Sequence, residues 1–230
     1  MEVVSIETGR TTWLFPTEEI LPLGGTDPIA IIQKLAERYD FKNFPEKPTR
    51  EEVDKNGLKF GTGIFNSDGK RAIITEFALY TDGVVAIANT TEHSSAFLDD
   101  LMDYLIREFQ FRRPISPVKK VYVSLLTVEF EQAVSAMFAD HAALLSLIGG
   151  YLNAPLGTRH GVEVTRIDFA LNDSSAPTSA GPRFILEARA SVPLARKRYF
   201  SNAAMHTQEH LKLLSAIEKM FAHREGEPHV

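Results

Sequence analysis

The sequence predicts an α+β protein of two similar halves, each running strand, helix, antiparallel strands, helix. Three observations carry this: an Asp-Gly turn between β-branched and aromatic runs, apolar stripes at helical spacing, and the same order of elements on either side of residue 113. Each half, residues 1–113 and 114–230, resembles in layout the ferredoxin-like arrangement, with helices packed on an antiparallel sheet and both halves joined in one compact unit.

Taken in order, "TTWLF" at 11–15 alternates as a strand. A helix follows, with Asp27 placed to cap it, Pro28 at its first position and Ile29, Ile32, Ala36 and Tyr39 at helical spacing. A polar stretch, "KNFPEKPTREEVDKNG", leads into "LKFGTGIF", "RAIITEFALY" and "VVAIA", a three-stranded meander joined by "NSDGK" and "TDG". Phe97, Leu98, Leu101, Met102, Leu105 and Phe109 then mark a second helix. The segment "REFQFRRPISPVKK", with five basic residues, one acidic residue and two prolines, is a connector. Beyond it come a strand "KVYVSLLTVEF", a helix over residues 132–152, strands "GVEVTRIDFAL" and "RFILEARASV", a short "KRYF" strand, and a last helix through Leu214, Ile217 and Phe221.

Strict alternation in "RAIITEFALY" points Ile73, Phe77 and Leu79 one way and Ile74, Ala78 and Tyr80 the other, so both faces are apolar. Helices cover one face. The other requires the sister half or another subunit.

Of the 230 residues, 44% are hydrophobic and 24% charged, the balance of a folded protein. Cysteine is absent, which excludes disulfides and thiolate chemistry and leaves only His, Asp and Glu for any metal. The start "MEVVSIETGRTTWLFP" lacks the basic lead and apolar core of a secretory signal, so a cytoplasmic location is expected. No run of 18 apolar residues predicts a membrane span. The net charge of -5 disfavours nucleic acid and anionic lipid as partners.

The sharpest motif is "HTQEH", residues 206–210, which resembles the inverted zinc-peptidase pattern H-x-x-E-H. That resemblance implies zinc held by His206 and His210, with Glu209 activating a bound water. Its geometry depends on the helix start. A cap at Asn202 puts both imidazoles on one side of the helix, whereas a cap at Thr207 leaves His206 outside it. The resembled family draws a third ligand, a glutamate, from a second helix well downstream, and here only twenty residues follow His210. Glu218, Glu225 and Glu227 do not reproduce that layout, so a third ligand would have to come from an earlier segment, with His93, His141 and His160 as examples. The competing reading makes the pair packed histidines, with His210 on the edge of the Leu214, Ile217 and Phe221 stripe.

His141 falls in phase with Val134, Met137, Phe138, Leu145 and Ile148 and is expected in the core. Asp99, Asp100 and Asp103, with Glu92, lie opposite the Leu101 and Leu105 stripe as a solvated face. Glu76, Glu163, Asp168 and Glu187 lie in strands and receive no role. "LPLGGTDP" lacks the residues of a phosphate loop, and the "KFGTGIF" glycines mark a bulge or a close approach of another chain. Two basic clusters, Arg112, Arg113, Lys119 and Lys120, and Arg196, Lys197 and Arg198 beside Tyr199 and Phe200, have the residue types that hold phosphates and stack bases. "SSAPTSAGP", 174–182, is a polar loop.

The expectation is therefore a non-catalytic cytoplasmic binding or assembly protein, without cofactor, whose partner is another protein or itself as a homo-oligomer. The alternatives are a zinc-dependent hydrolase at His206, Glu209 and His210, and a phosphate or nucleic-acid binder at Arg196, Lys197 and Arg198.

Overall fold

The computed structural model describes residues 1–25, 27–67, 69–134, 141–171 and 181–224. Its contacts divide into an N-terminal unit, Ile6–Leu125 with Ala204–Thr207, and a C-terminal unit, Met1–Ser5 with Leu126–Ala203 and Gln208–Val230. The class is α+β, with antiparallel strand pairing and helices.

In the N-terminal unit the chain runs through β1 (Glu2–Leu14, from Ile6 onward), α1 (Pro28–Arg38), α2 (Arg50–Asn56), β2 (Leu58–Ser67), β3 (Lys70–Tyr80), β4 (Gly83–Ala88) and α3 (Thr91–Phe109). The strands stand in the order β2-β3-β4-β1, with Phe60 opposite Phe77 and Thr11 opposite Ala86. The Asp27 carboxylate accepts from the N–H groups of Ile29 and Ala30 at 3.0 and 3.3 Å, so α1 starts where its cap predicts. Thr90 caps α3 at the N–H of His93, and Gln110, left-handed at φ 58°, ends it. The predicted α3 stripe of Phe97, Leu98, Leu101, Met102 and Leu105 is buried. It packs with Phe41, Phe60 and Phe77, whose rings contact one another, and those of Phe41 and Phe77 contact Phe97, at centroid distances of 5.1 to 6.4 Å. Each such side chain contributes about 1.5–3 kcal/mol by leaving water.

Strict alternation fails in β3. The register shifts between Ile74 and Glu76, so Ala72 and Ile74 face the same core as Phe77 and Leu79. Ile73, expected beside Phe77, is instead half exposed. One extra residue reverses the parity of a strand, and nothing in the local composition marks it. The helix α2 also arises where a polar stretch was read. The glycines of "KFGTGIF" meet the chain's own segment: Asn43 bridges Gly61, and a Cβ on Gly63 would lie 2.5 Å from the Phe41 ring.

The C-terminal unit contains the end of β5 (Lys119–Glu129), α4 (Ala142–Asn153), β6 (Arg166–Ala170), β7 (Arg183–Ala188), β8 (Arg198–Ala203) and α5 (Thr207–Arg224) from Gln208 onward. Strands follow the order β5-β8-β7-β6, with Phe169 opposite Phe184 and Leu186 opposite Ser201. Leu126, Val128, Phe130, Val134, Ile167, Leu186, Tyr199 and Leu214 form the core. The helix read over 132–152 is shorter in the described residues, beginning at Ala142. Met137 and Phe138 lie outside the described residues, as do 174–180 of the polar loop, Glu225 and Glu227. His141 is exposed at the N-cap of α4 and not in the core, because the helix starts after it.

Each unit repeats one detail of the other. Phe15, after β1, donates its N–H to Asp82 O, just before β4. Phe130, after β5, donates to Lys197 O, just before β8.

Candidate interaction surface

The helix α4 is where the described structure departs most from the rule that apolar faces turn inward. Its sequence, AALLSLIGGYLN, holds no charged residue and sets Leu144, Leu147, Ile148, Tyr151 and Leu152 on one stripe at i, i+3, i+4, i+7, i+8 spacing. That stripe points to solvent: Leu144 is 51% exposed, Leu147 59%, Tyr151 77% and Leu152 58%. The residue buried within the unit is Gly149, on the other side, where an added Cβ would meet Val162 at 3.3 Å. Asn153 fixes that side. Its amide nitrogen donates to Gly149 O and His160 O, and its amide oxygen accepts from Thr158 Oγ1 and His160 N, at 2.7 to 2.9 Å. Between helix and turn runs an open groove of about 810 Å³ with Arg159 and His160 at its edge. The stripe is present in the sequence, but Ile148 belongs equally to the helical phase through His141, which predicts a different face.

The histidines of HTQEH serve different surroundings. Thr207 opens α5, so His206 stands outside the helix, its ring tilted 35° against that of Tyr122 with centroids 3.8 Å apart and its Nδ1 3.5 Å from Thr91 Oγ1. Thr207 is itself tied to the N-terminal unit. The N–H of Thr91 donates to Thr207 Oγ1 at 3.0 Å, and the N–H of Thr207 donates to Thr91 Oγ1 at 2.7 Å. His210 is fully buried in the C-terminal unit, with Nε2 2.8 Å from Ser201 Oγ. Ser201 has one proton and places its hydroxyl 3.0 Å from Ile185 O, so with that proton on the carbonyl, Nε2 carries the hydrogen and donates to Oγ. Nδ1 is then an unprotonated acceptor, buried without a partner among the described residues. Burial pushes the imidazole pKa down from 6.5 to about 4. Glu209 is exposed. Among the described residues no three His, Asp or Glu side chains gather as a metal site.

The basic segment is partly committed to internal bonds. Arg198 holds the Glu129 carboxylate at 2.9 and 3.0 Å, Lys197 donates to Glu131 O, and Arg196 is exposed. In the connector, Arg112 donates to Leu21 O, Arg113 pairs with Asp103, and Lys120 sits 4.2 Å over the Trp13 ring and 3.7 Å from Asp99. The acidic face of α3 is accordingly paired as well as solvated: Asp100 accepts from Arg38 at 3.0 Å and from the Tyr39 hydroxyl at 2.7 Å. Burial, and then the Asp100 carboxylate, push the Tyr39 phenol upward. In the C-terminal unit, Asp168 pairs with Arg166 and Arg183, and Glu187 with Arg166. Glu163 lies before β6, outside any strand. A closed apolar cavity of about 50 Å³ lies among Ile20, Leu35, Phe77, Leu98, Met102 and Phe111, with no polar group to orient a ligand.

Among the described residues no helix is long and apolar enough to cross a membrane. No protein-family model matches the chain, and no curated protein matches it. Among solved structures, Methanococcus jannaschii TBP is similar with a TM-score of 0.41 and 10% identity, over 97% of this chain and 99% of that chain.

Proposed function

We propose that the chain is a non-catalytic cytoplasmic binding or assembly protein, built of two ferredoxin-like halves, that acts as a homo-oligomer. The observation that carries this reading is the outward apolar stripe of α4. Ordinary monomers rarely expose contiguous apolar patches beyond a few hundred Å², and larger ones mark contact with another molecule. The engagement of His210 by Ser201, and of Arg198 by Glu129, supports it further by giving these residues structural work.

Size-exclusion chromatography with in-line light scattering on untagged protein tests the reading. A mass of two or more chains, holding across dilution, is the expected result. A single-chain mass at every concentration refutes the homo-oligomer.

A further inference from the structure

We propose that two copies of the chain dock through α4, helix against helix and antiparallel, with Leu144 of one copy facing Tyr151 of the other and Leu147 facing Ile148. This rests on the homo-oligomer reading and supplies its contact surface.

The first argument is area. The stripe with Leu156, itself 71% exposed, leaves on the order of 600 Å² of apolar surface open, against about 800 Å² per partner in a standard interface. An area of that order matches the lower end of specific interfaces, about 600 Å² per partner.

The second argument is charge. No residue of α4 is charged, and neither its first turn nor its last carries an acid or a base. A partner of opposite charge finds nothing there to recognise, and a helix lying on a lipid surface needs Lys or Arg along its polar side. A neutral face set against itself meets no like-charge repulsion.

The third argument is self-complementarity, which a two-fold interface demands. In an antiparallel pair the numbers of facing positions add to a constant. At a sum of about 295 the stripe falls on itself, with Leu144 opposite Tyr151 and Leu147 beside Ile148 at the centre of the pair. Ala143, Leu147, Gly150, Tyr151 and Ala154 already form a shallow groove on this side of the helix.

The chain has no cysteine, so single introduced thiols report cleanly. In the proposed pair, Leu147→Cys oxidises to a covalent dimer. Leu144→Cys does not link to itself, because the two copies of that position lie about 10 Å apart along the axis, but it links when mixed with Tyr151→Cys. A Leu147→Glu/Tyr151→Glu variant, altering only exposed side chains, runs at the single-chain mass with an unchanged circular dichroism spectrum. Self-linking of Leu144→Cys overturns the antiparallel pair. An oligomer whose mass survives Leu147→Glu/Tyr151→Glu overturns the α4 contact and leaves the homo-oligomer reading standing. A wild-type monomer overturns both, and a monomer that sediments with phosphatidylcholine vesicles assigns the face to lipid.

Discussion

Thr91 and Thr207 cap each other: each backbone N–H donates to the other's hydroxyl, at 3.0 and 2.7 Å, and both residues are buried. Each residue begins a helix, α3 or α5, and the first N–H groups of a helix have no partner within it. Two such donors are satisfied by one reciprocal exchange.

Thr207→Val keeps the side-chain shape and removes the hydroxyl. The N–H of Thr91 then loses its acceptor, and the expected loss is about 1–2 kcal/mol in urea denaturation. Thr91→Val costs a similar amount, and the double variant costs less than the sum because both changes break one exchange. Additive losses would show that the two bonds act independently.

The buried His210 makes stability depend on pH. Its folded pKa, about 4, lies below the unfolded 6.5, so the unfolded chain takes up the proton first. Its contribution is present above pH 6.5 and is lost as pH falls through 4, on the order of 3 kcal/mol in all. His210→Leu should flatten this part of the urea-midpoint profile between pH 6.5 and 4. A variant profile parallel to wild type would remove His210 as the source.

At Gly9, in β1, an added Cβ would lie 2.0 Å from the carbonyl carbon of Thr90 and 2.1 Å from the nitrogen of Thr91. Both atoms are backbone, and nearby Thr11 Oγ1 lies 2.7 Å from Ser94 Oγ and 3.2 Å from Thr91 O, so the strand cannot shift freely. Gly9→Ala is expected to cost about 3 kcal/mol or more. A thermal midpoint equal to wild type would place β1 further from α3.

Zinc should leave the thermal midpoint unchanged, because the His210 ring is held by Ser201 inside the core while Glu209 is exposed. A true site would add about 2.7 kcal/mol at a hundredfold excess over Kd. A rise of that size, lost in His210→Gln, would bring back the hydrolase reading of His206, Glu209 and His210.

Much of the fold was legible because it depends on neighbours in sequence. The Asp27 cap, the α3 stripe from Phe97 to Leu105 and the turns of the meander are local devices, and each appears where the pattern put it. Aligning the two final helices, "TTEHSS" and "HTQEHL", would also have paired Thr91 with Thr207 as matching helix starts. Less of the candidate surface was legible. Its residues fit two helical phases, and sequence spacing does not say which phase the rest of the unit will cover.

What the sequence alone determined was the α+β class, most of the helices and strands and the absence of thiol chemistry, since periodicity, turn residues and composition act over short stretches of chain. The tertiary structure decided the rest. It alone set the bulge that turned Ile73 outward, the exchange between Thr91 and Thr207, the burial of His210 against Ser201, and the outward face of α4. Each of these depends on how separate elements pack, from the 116-residue separation of Thr91 and Thr207 to the nine-residue separation of Ser201 and His210, and a residue's burial, charge state and partners are properties of that meeting.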